Sequence, residues 1–77
     1  MNKTIYLRDA DDFSNLIIKQ GFTQRKLAKE AGCSQTTISL IAKGERNPSA
    51  KVAVDICKVL NIGFDTIFFI VNNDKSH

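Results

Sequence analysis

Thr23-Gln24-Arg25-Lys26-Leu27-Ala28-Lys29-Glu30-Ala31-Gly32-Cys33-Ser34-Gln35-Thr36-Thr37-Ile38-Ser39-Leu40-Ile41-Ala42-Lys43 holds two helix starts, one sharp corner and two apolar stripes. Thr23 can accept a hydrogen bond from the first turn of a helix over Gln24–Ala31. In that helix Leu27, Ala28 and Ala31 share a face while Arg25, Lys26 and Lys29 point elsewhere. Gly32 stops it, because glycine enters the left-handed region without a Cβ penalty. Only Cys33 separates this stop from Ser34, the cap of a second helix over Gln35–Lys43. There Ile38 and Ile41 turn inward and Gly44 closes the helix. Neither arm can bury its stripe alone, so both need a core shared with the flanking segments.

Those segments carry matching stripes. Asp11 or Asp12 caps a helix in which Phe13, Leu16, Ile17 and Gln20 follow a helical spacing up to Gly21. Beyond the polar loop Glu45-Arg46-Asn47, Pro48 biases Asn47 away from the helical region, and Ser49 caps another helix that ends at Asn61. Val52, Ala53, Ile56, Cys57, Val59 and Leu60 make its stripe wide enough for two neighbours, and Phe64, Ile67 and Phe68 add one more turn. Thr4 to Leu7 and Thr66 to Val71 are rich in β-branched and aromatic residues. An isolated strand is unstable, so either the two ends pair as an antiparallel ribbon or the last helix runs on through Phe69. The expected fold is all-α: a five-helix bundle containing a helix-turn-helix over residues 23–43, with a small terminal β ribbon as the open alternative at its ends. A chain of 77 residues has room for one core, so residues 1–77 are read as a single domain with a polar, fraying tail over 72–77.

Composition narrows the chemistry. At 43% hydrophobic and 25% charged residues the chain is of the folding kind. Cys33 and Cys57 form no CxxC, and the only histidine is His77, so neither a zinc site nor a disulfide framework is expected. The longest apolar run, Ile67 to Val71, falls far short of the roughly 20 residues of a membrane helix. No apolar leader follows Lys3, and a cytoplasmic location is expected. No histidine is placed as a base, no partner activates either thiol, and the glycines lack phosphate-loop spacing, so the chain is read as non-enzymatic and free of cofactors and metals. The net charge of +3 is local. Between residues 23 and 51, Arg25, Lys26, Lys29, Lys43, Arg46 and Lys51 face only Glu30 and Glu45, whereas acidic residues slightly outnumber basic ones elsewhere. Such a distribution suits a chain that meets a polyanion on one face, and equally an ordinary solvated surface with chance clustering.

Thr23-Gln24, Leu27-Ala28, Ala31-Gly32-Cys33-Ser34, Thr37-Ile38, Ile41, Gly44 and Asn47-Pro48, followed by a further helix and Leu60-Asn61-Ile62, resemble the Cro/C1-type (Xre-type) helix-turn-helix family of phage and bacterial repressors. The resemblance runs from about Phe13 to Phe68. It implies a lambda-repressor-like fold and a regulator, most often a repressor, that binds double-stranded operator DNA as a homodimer. Carried over by position, Gln35, Thr36, Ser39 and Leu40 are the expected base-contacting residues. Gln24, Arg25, Lys26, Lys43, Arg46 and Asn47 are the expected phosphate contacts. The residue chemistry agrees, since glutamine can meet an adenine edge through two hydrogen bonds and threonine can touch a thymine methyl. Gln35 and Thr36 could equally be solvated first-turn residues, and Leu40 either touches the groove or belongs to the core.

The chain departs from the family at one pair. Many members join an arginine on the first helix to a glutamate late in the third, and the matching positions here are Ile17 and Ala42. Losing both partners together leaves no unpaired charge, so apolar packing can replace the ion pair at little cost. The rival reading is a protein-interaction module on the same fold, an antirepressor, adaptor or antitoxin-like partner, with Leu40 and Phe68-Phe69-Ile70 as its contact surface. RNA binding has less support, because the basic segment offers only Phe22 for stacking.

Overall fold

The hydroxyls of Thr23, Ser34 and Ser49 start three helices in the computed structural model, which describes residues 3–72. Thr23 Oγ1 accepts from the Lys26 N–H at 3.0 Å, Ser34 Oγ from the Thr37 N–H at 3.0 Å, and Ser49 Oγ from the Val52 N–H at 3.2 Å. Each bond satisfies one of the donors that a helix start leaves open. The elements in chain order are β1 (Lys3–Leu7), α1 (Ala10–Lys19), α2 (Gln24–Ala31), α3 (Gln35–Ala42), α4 (Ala50–Leu60), α5 (Phe64–Ile67) and β2 (Phe68–Asn72). The stops are as legible as the starts: Gly32 turns left-handed at φ +77° and Asn61 at φ +57°.

Four boundaries differ from the expectation. The cap of α1 is Asp9, whose Oδ1 accepts from the Asp12 N–H at 2.9 Å. Asp11 and Asp12 instead occupy the first turn, where their charge faces the positive end of the helix dipole. Helix α3 ends at Ala42, with Lys43 half in as its cap. Thr66 and Ile67 complete α5, because the Thr66 N–H donates to the Gly63 carbonyl at 3.1 Å, so extended backbone begins only at Phe68. Asn72, assigned to the tail, pairs with Lys3 in the ribbon, and the remainder of that tail lies outside the described residues. Gln20, counted with the first apolar stripe, works as a polar clamp: its Nε2 donates to the Leu60 carbonyl at 2.8 Å and ties the end of α1 to the end of α4.

Packing follows the stripes. Helix α2 lies against α3 and α4, and α1 against α3. Leu27, Ile38, Ile41 and Ile56 are fully buried between them, and the small buried residues Ala28 and Ala53 let the helix backbones approach closely. Among the described residues the core contains no buried polar side chain. The ribbon is antiparallel with Ile5 opposite Ile70 and Leu7 opposite Phe68. Ile5 and Phe68 reach into the core, where the Phe68 ring sits 5.5 Å from Phe64 and 6.5 Å from Phe13. Tyr6 stacks on Phe69 at 5.5 Å on the opposite face. Arg8 locks the ribbon to α5, its Nε donating to the Asp65 carbonyl at 2.7 Å and its N–H to the Ile67 carbonyl at 2.8 Å.

Ile17 and Ala42 are both buried, on the packed pair α1 and α3. Ala42→Glu alone is expected to destabilise the chain by on the order of 3 kcal/mol, because it places an unpaired carboxylate in apolar surroundings. Adding Ile17→Arg should recover part of that loss. Denaturant melts of both single variants and the double variant check this; additive losses would show that the two positions do not meet.

Candidate nucleic-acid interface

Helix α3 has two faces set by its own sequence. Ile38, Ile41 and Ala42 are buried, while Gln35, Thr36, Ser39, Leu40 and Lys43 recur one turn apart on the other side. These five residues line one shallow depression of about 320 Å³. Gln35, Thr36 and Lys43 are exposed, and Ser39 and Leu40 are half-buried. Leu40 stands outside the hydrophobic core and its packed periphery, which leaves its side chain on the wall of the depression. The four expected base-contacting residues are therefore together, on a helix whose first N–H groups, those of Gln35 and Thr36, have no intrahelical acceptor.

The basic residues divide into three kinds. Arg25, Lys29 and Lys43 are exposed, and none makes a side-chain hydrogen bond or ion pair among the described residues. Lys26 lies 3.6 Å from Glu30 one turn later, and Lys51 donates to Asp55 at 2.8 Å, which raises the pKa of Lys51. Exposed pairs of this sort contribute little and yield readily to a stronger anion. Arg46 is held: its Nη1 donates to Thr37 Oγ1 at 3.3 Å, which carries the guanidinium back from the loop onto α3. Asn47 follows it, exposed. Gln24 is apart from the α3 depression. It is half-buried and lines a separate apolar concavity with Ile18 and Phe22 at the start of α2.

Two features escaped the sequence reading. Thr37 entered the sequence reading only as part of the family resemblance, yet its hydroxyl links Ser34 and Arg46; the threonine three residues after a serine cap is the one signal of it. Ile18 is 71% exposed beside Gln24, a position that the i, i+3, i+4 pattern of α1 excludes from the core but does not otherwise mark.

Among the described residues no cluster of histidine, cysteine and carboxylate side chains could hold a metal ion, and no helix is long and apolar enough to cross a membrane. Cys33 sits in the corner between α2 and α3, its N–H donating to the Ala28 carbonyl at 2.9 Å. Burial, and secondarily the Asp55 carboxylate, push its thiol pKa up; burial alone does so for Cys57.

Against this geometry the chain can be placed among known proteins. Residues 15–67 match the helix-turn-helix family, and the chain belongs to it. A relative in Archaeoglobus fulgidus, described as an uncharacterized HTH-type transcriptional regulator, is 40% identical over 50 residues that make up 65% of this chain and 71% of that protein. The HTH-type regulator YgzD of Bacillus subtilis, likewise uncharacterized, is 32% identical over 50 residues, 65% of this chain and 76% of its own. Among solved structures, the transcriptional regulator VanUg superposes with a TM-score of 0.64 at 22% identity, over 95% of this chain and 92% of that one. A chain from Bacteroides fragilis superposes with a TM-score of 0.69 at 23% identity, over 84% of this chain and 98% of its own. These two likenesses concern the fold. The fold, the family and the regulators it resembles place the chain among helix-turn-helix transcriptional regulators rather than enzymes.

Raised thiol pKa values carry a consequence for pH. The folded state favours the protonated thiols, so their contribution is full below the ordinary value of 9.0 and is lost as pH climbs through the raised folded values. Thiol-reagent labelling of the folded chain at pH 8 should be slower than that of the urea-unfolded chain, with Cys57 slower than Cys33. Equal rates in the two states would overturn the assignment.

Proposed function

We propose that the chain is a sequence-specific, double-stranded DNA-binding transcriptional regulator of the Cro/C1 type, a cytoplasmic repressor whose helix α3 enters the major groove. The observation that carries this reading is the single exposed face of α3, where Gln35, Thr36, Ser39 and Leu40 share one depression with Lys43. In this reading those four side chains meet base edges, and Lys43, Arg25, Arg46, Asn47, Gln24 and Lys26 meet the phosphates on either side. The separation is chemical: uncharged side chains that hydrogen-bond or touch a methyl group share the depression, and Lys43, the C-cap of α3, supplies its charge. The whole chain acts as one domain.

The expected division of labour is measurable. Gln35→Ala should cost about 1–3 kcal/mol on the cognate duplex and relax preference at one base pair, leaving non-specific affinity nearly unchanged. Arg46→Ala should weaken every duplex alike and make the dependence of log affinity on log salt shallower by about 1. Titrations on a duplex selected from a random pool and on its scrambled counterpart check both variants. A Gln35→Ala variant that loses equally on both duplexes would overturn the base-reading role, and a chain whose binding to duplexes does not respond to salt would favour the protein-interaction module.

On DNA the chain is proposed to act as a homodimer, since one recognition helix covers few base pairs and two must stand about 34–36 Å apart to reach successive major grooves. The surface proposed to join the copies is the ribbon. Phe68 is fully buried and closes the core, but Ile70 is 55% exposed, and Tyr6 and Val71 are exposed on the opposite face. Sedimentation with and without a selected operator should show two copies per duplex. Ile70→Asp, which leaves the Tyr6–Phe69 stack in place, should reduce that to one; a normal complex from this variant would move the interface elsewhere.

A further inference from the structure

The Arg46 side chain is tied to a residue nine positions earlier. Its Nη1 donates to Thr37 Oγ1 at 3.3 Å, and the same oxygen lies 2.9 Å from Ser34 Oγ, which in turn accepts from the Thr37 N–H at 3.0 Å. When Arg46 donates to the Thr37 hydroxyl, that hydroxyl's own proton can be shared with Ser34, so loop, helix and cap form one directed chain. Thr37 is half-buried and does not line the depression formed by Gln35, Thr36, Ser39, Leu40 and Lys43, so its hydroxyl faces the loop and not the groove surface. A free arginine in an exposed loop samples many rotamers, and fixing it only on binding would cost side-chain entropy.

We infer that Thr37 is a positioning residue that holds the Arg46 guanidinium against α3 in the free protein, so that the contact Arg46 makes with duplex DNA is formed in advance. The role of Arg46 rests on the DNA-binding reading above; the tether rests on the geometry alone. Thr37→Val preserves the shape and the backbone cap while deleting the acceptor, and Thr37→Ser keeps the hydroxyl.

Two measurements on the full chain separate the parts of this inference. In 15N relaxation of the Arg46 Nε–H without DNA, the side chain should be more mobile in Thr37→Val than in the wild type and should recover in Thr37→Ser. In titrations on a selected duplex, Thr37→Val should bind about two- to tenfold more weakly, Thr37→Ser should bind nearly as the wild type, and Thr37→Val should cause no further loss in an Arg46→Ala background. Equal Arg46 mobility in wild type and Thr37→Val overturns the tether. A Thr37→Val loss that persists undiminished without Arg46 overturns the positioning role, since Thr37 would then act on its own. A wild-type chain that binds no duplex overturns the DNA-binding reading, while the relaxation comparison still decides the tether.

Discussion

An eight-residue helix that leaves half its surface open must be held entirely by the other half. Helix α3 is in that position: Ile38, Ile41 and Ala42 are the residues it buries, and its remaining ties are the polar links at Thr37. A helix of two turns has little stability in isolation, so its existence depends on tertiary burial of this stripe. The remaining elements can be understood from that requirement. Helix α2 meets α3 across the short corner that Gly32 makes practicable, α1 packs on α3 as well, and α4 backs α2 through Ala53 and Ile56. No part of the exposed face of α3 is needed for the core, which leaves its residue types free to be set by whatever that face contacts.

Polar groups do the joining where the apolar stripes run out. Serine and threonine caps fix where α2, α3 and α4 begin, Gln20 closes the C-terminal end of α4, and Arg8 fastens the ribbon to the carbonyls of α5. All of these bonds lie at or near the surface, so the interior is left without a buried polar side chain among the described residues. Ile17 and Ala42, both buried on the packed pair α1 and α3, fit the same division, with apolar side chains where many family members are expected to carry an ion pair. An inter-helix ion pair offers orientation at a desolvation cost, whereas apolar packing avoids that cost but relies on neighbouring contacts for orientation.

The sequence was most legible where a residue type has a single strong local role. Thr23, Ser34 and Ser49 act through a hydroxyl on the backbone three residues on, Gly32 and Asn61 through their own φ, and the helix ends they mark appear as expected. It was less legible where a boundary depends on partners far along the chain. Asp9, Asp11 and Asp12 are equivalent as caps in isolation, and the choice falls on Asp9 because β1 ends at Leu7 and Arg8 is engaged with α5. The Thr66 to Val71 run satisfies both of the local readings in turn: Ile67 buries its side chain as helix, and from Phe68 the chain is extended because β1 supplies the pairing. In the candidate interface, the resemblance placed Gln35, Thr36, Ser39 and Leu40 together by position, and the structure brings them with Lys43 onto one depression, settling the open choice for Leu40 against the core. The link from Arg46 to Thr37 crosses the end of a helix and a loop, and no periodicity encodes it.

The distribution of charge bears on how such a surface would work. Four of the five side chains on the α3 depression are uncharged, Lys43 is the fifth, and Arg46 is tethered to α3 through Thr37. Phosphate contacts are additive in their effect on log affinity and indifferent to sequence, while base contacts discriminate but individually contribute only about 1–3 kcal/mol. In the DNA-binding reading proposed above, the handful of phosphate contacts available to one copy would give it modest affinity for any duplex. That would limit the time spent on wrong sites, and in the proposed dimer two copies on one duplex would raise affinity through effective concentration without adding charge to either.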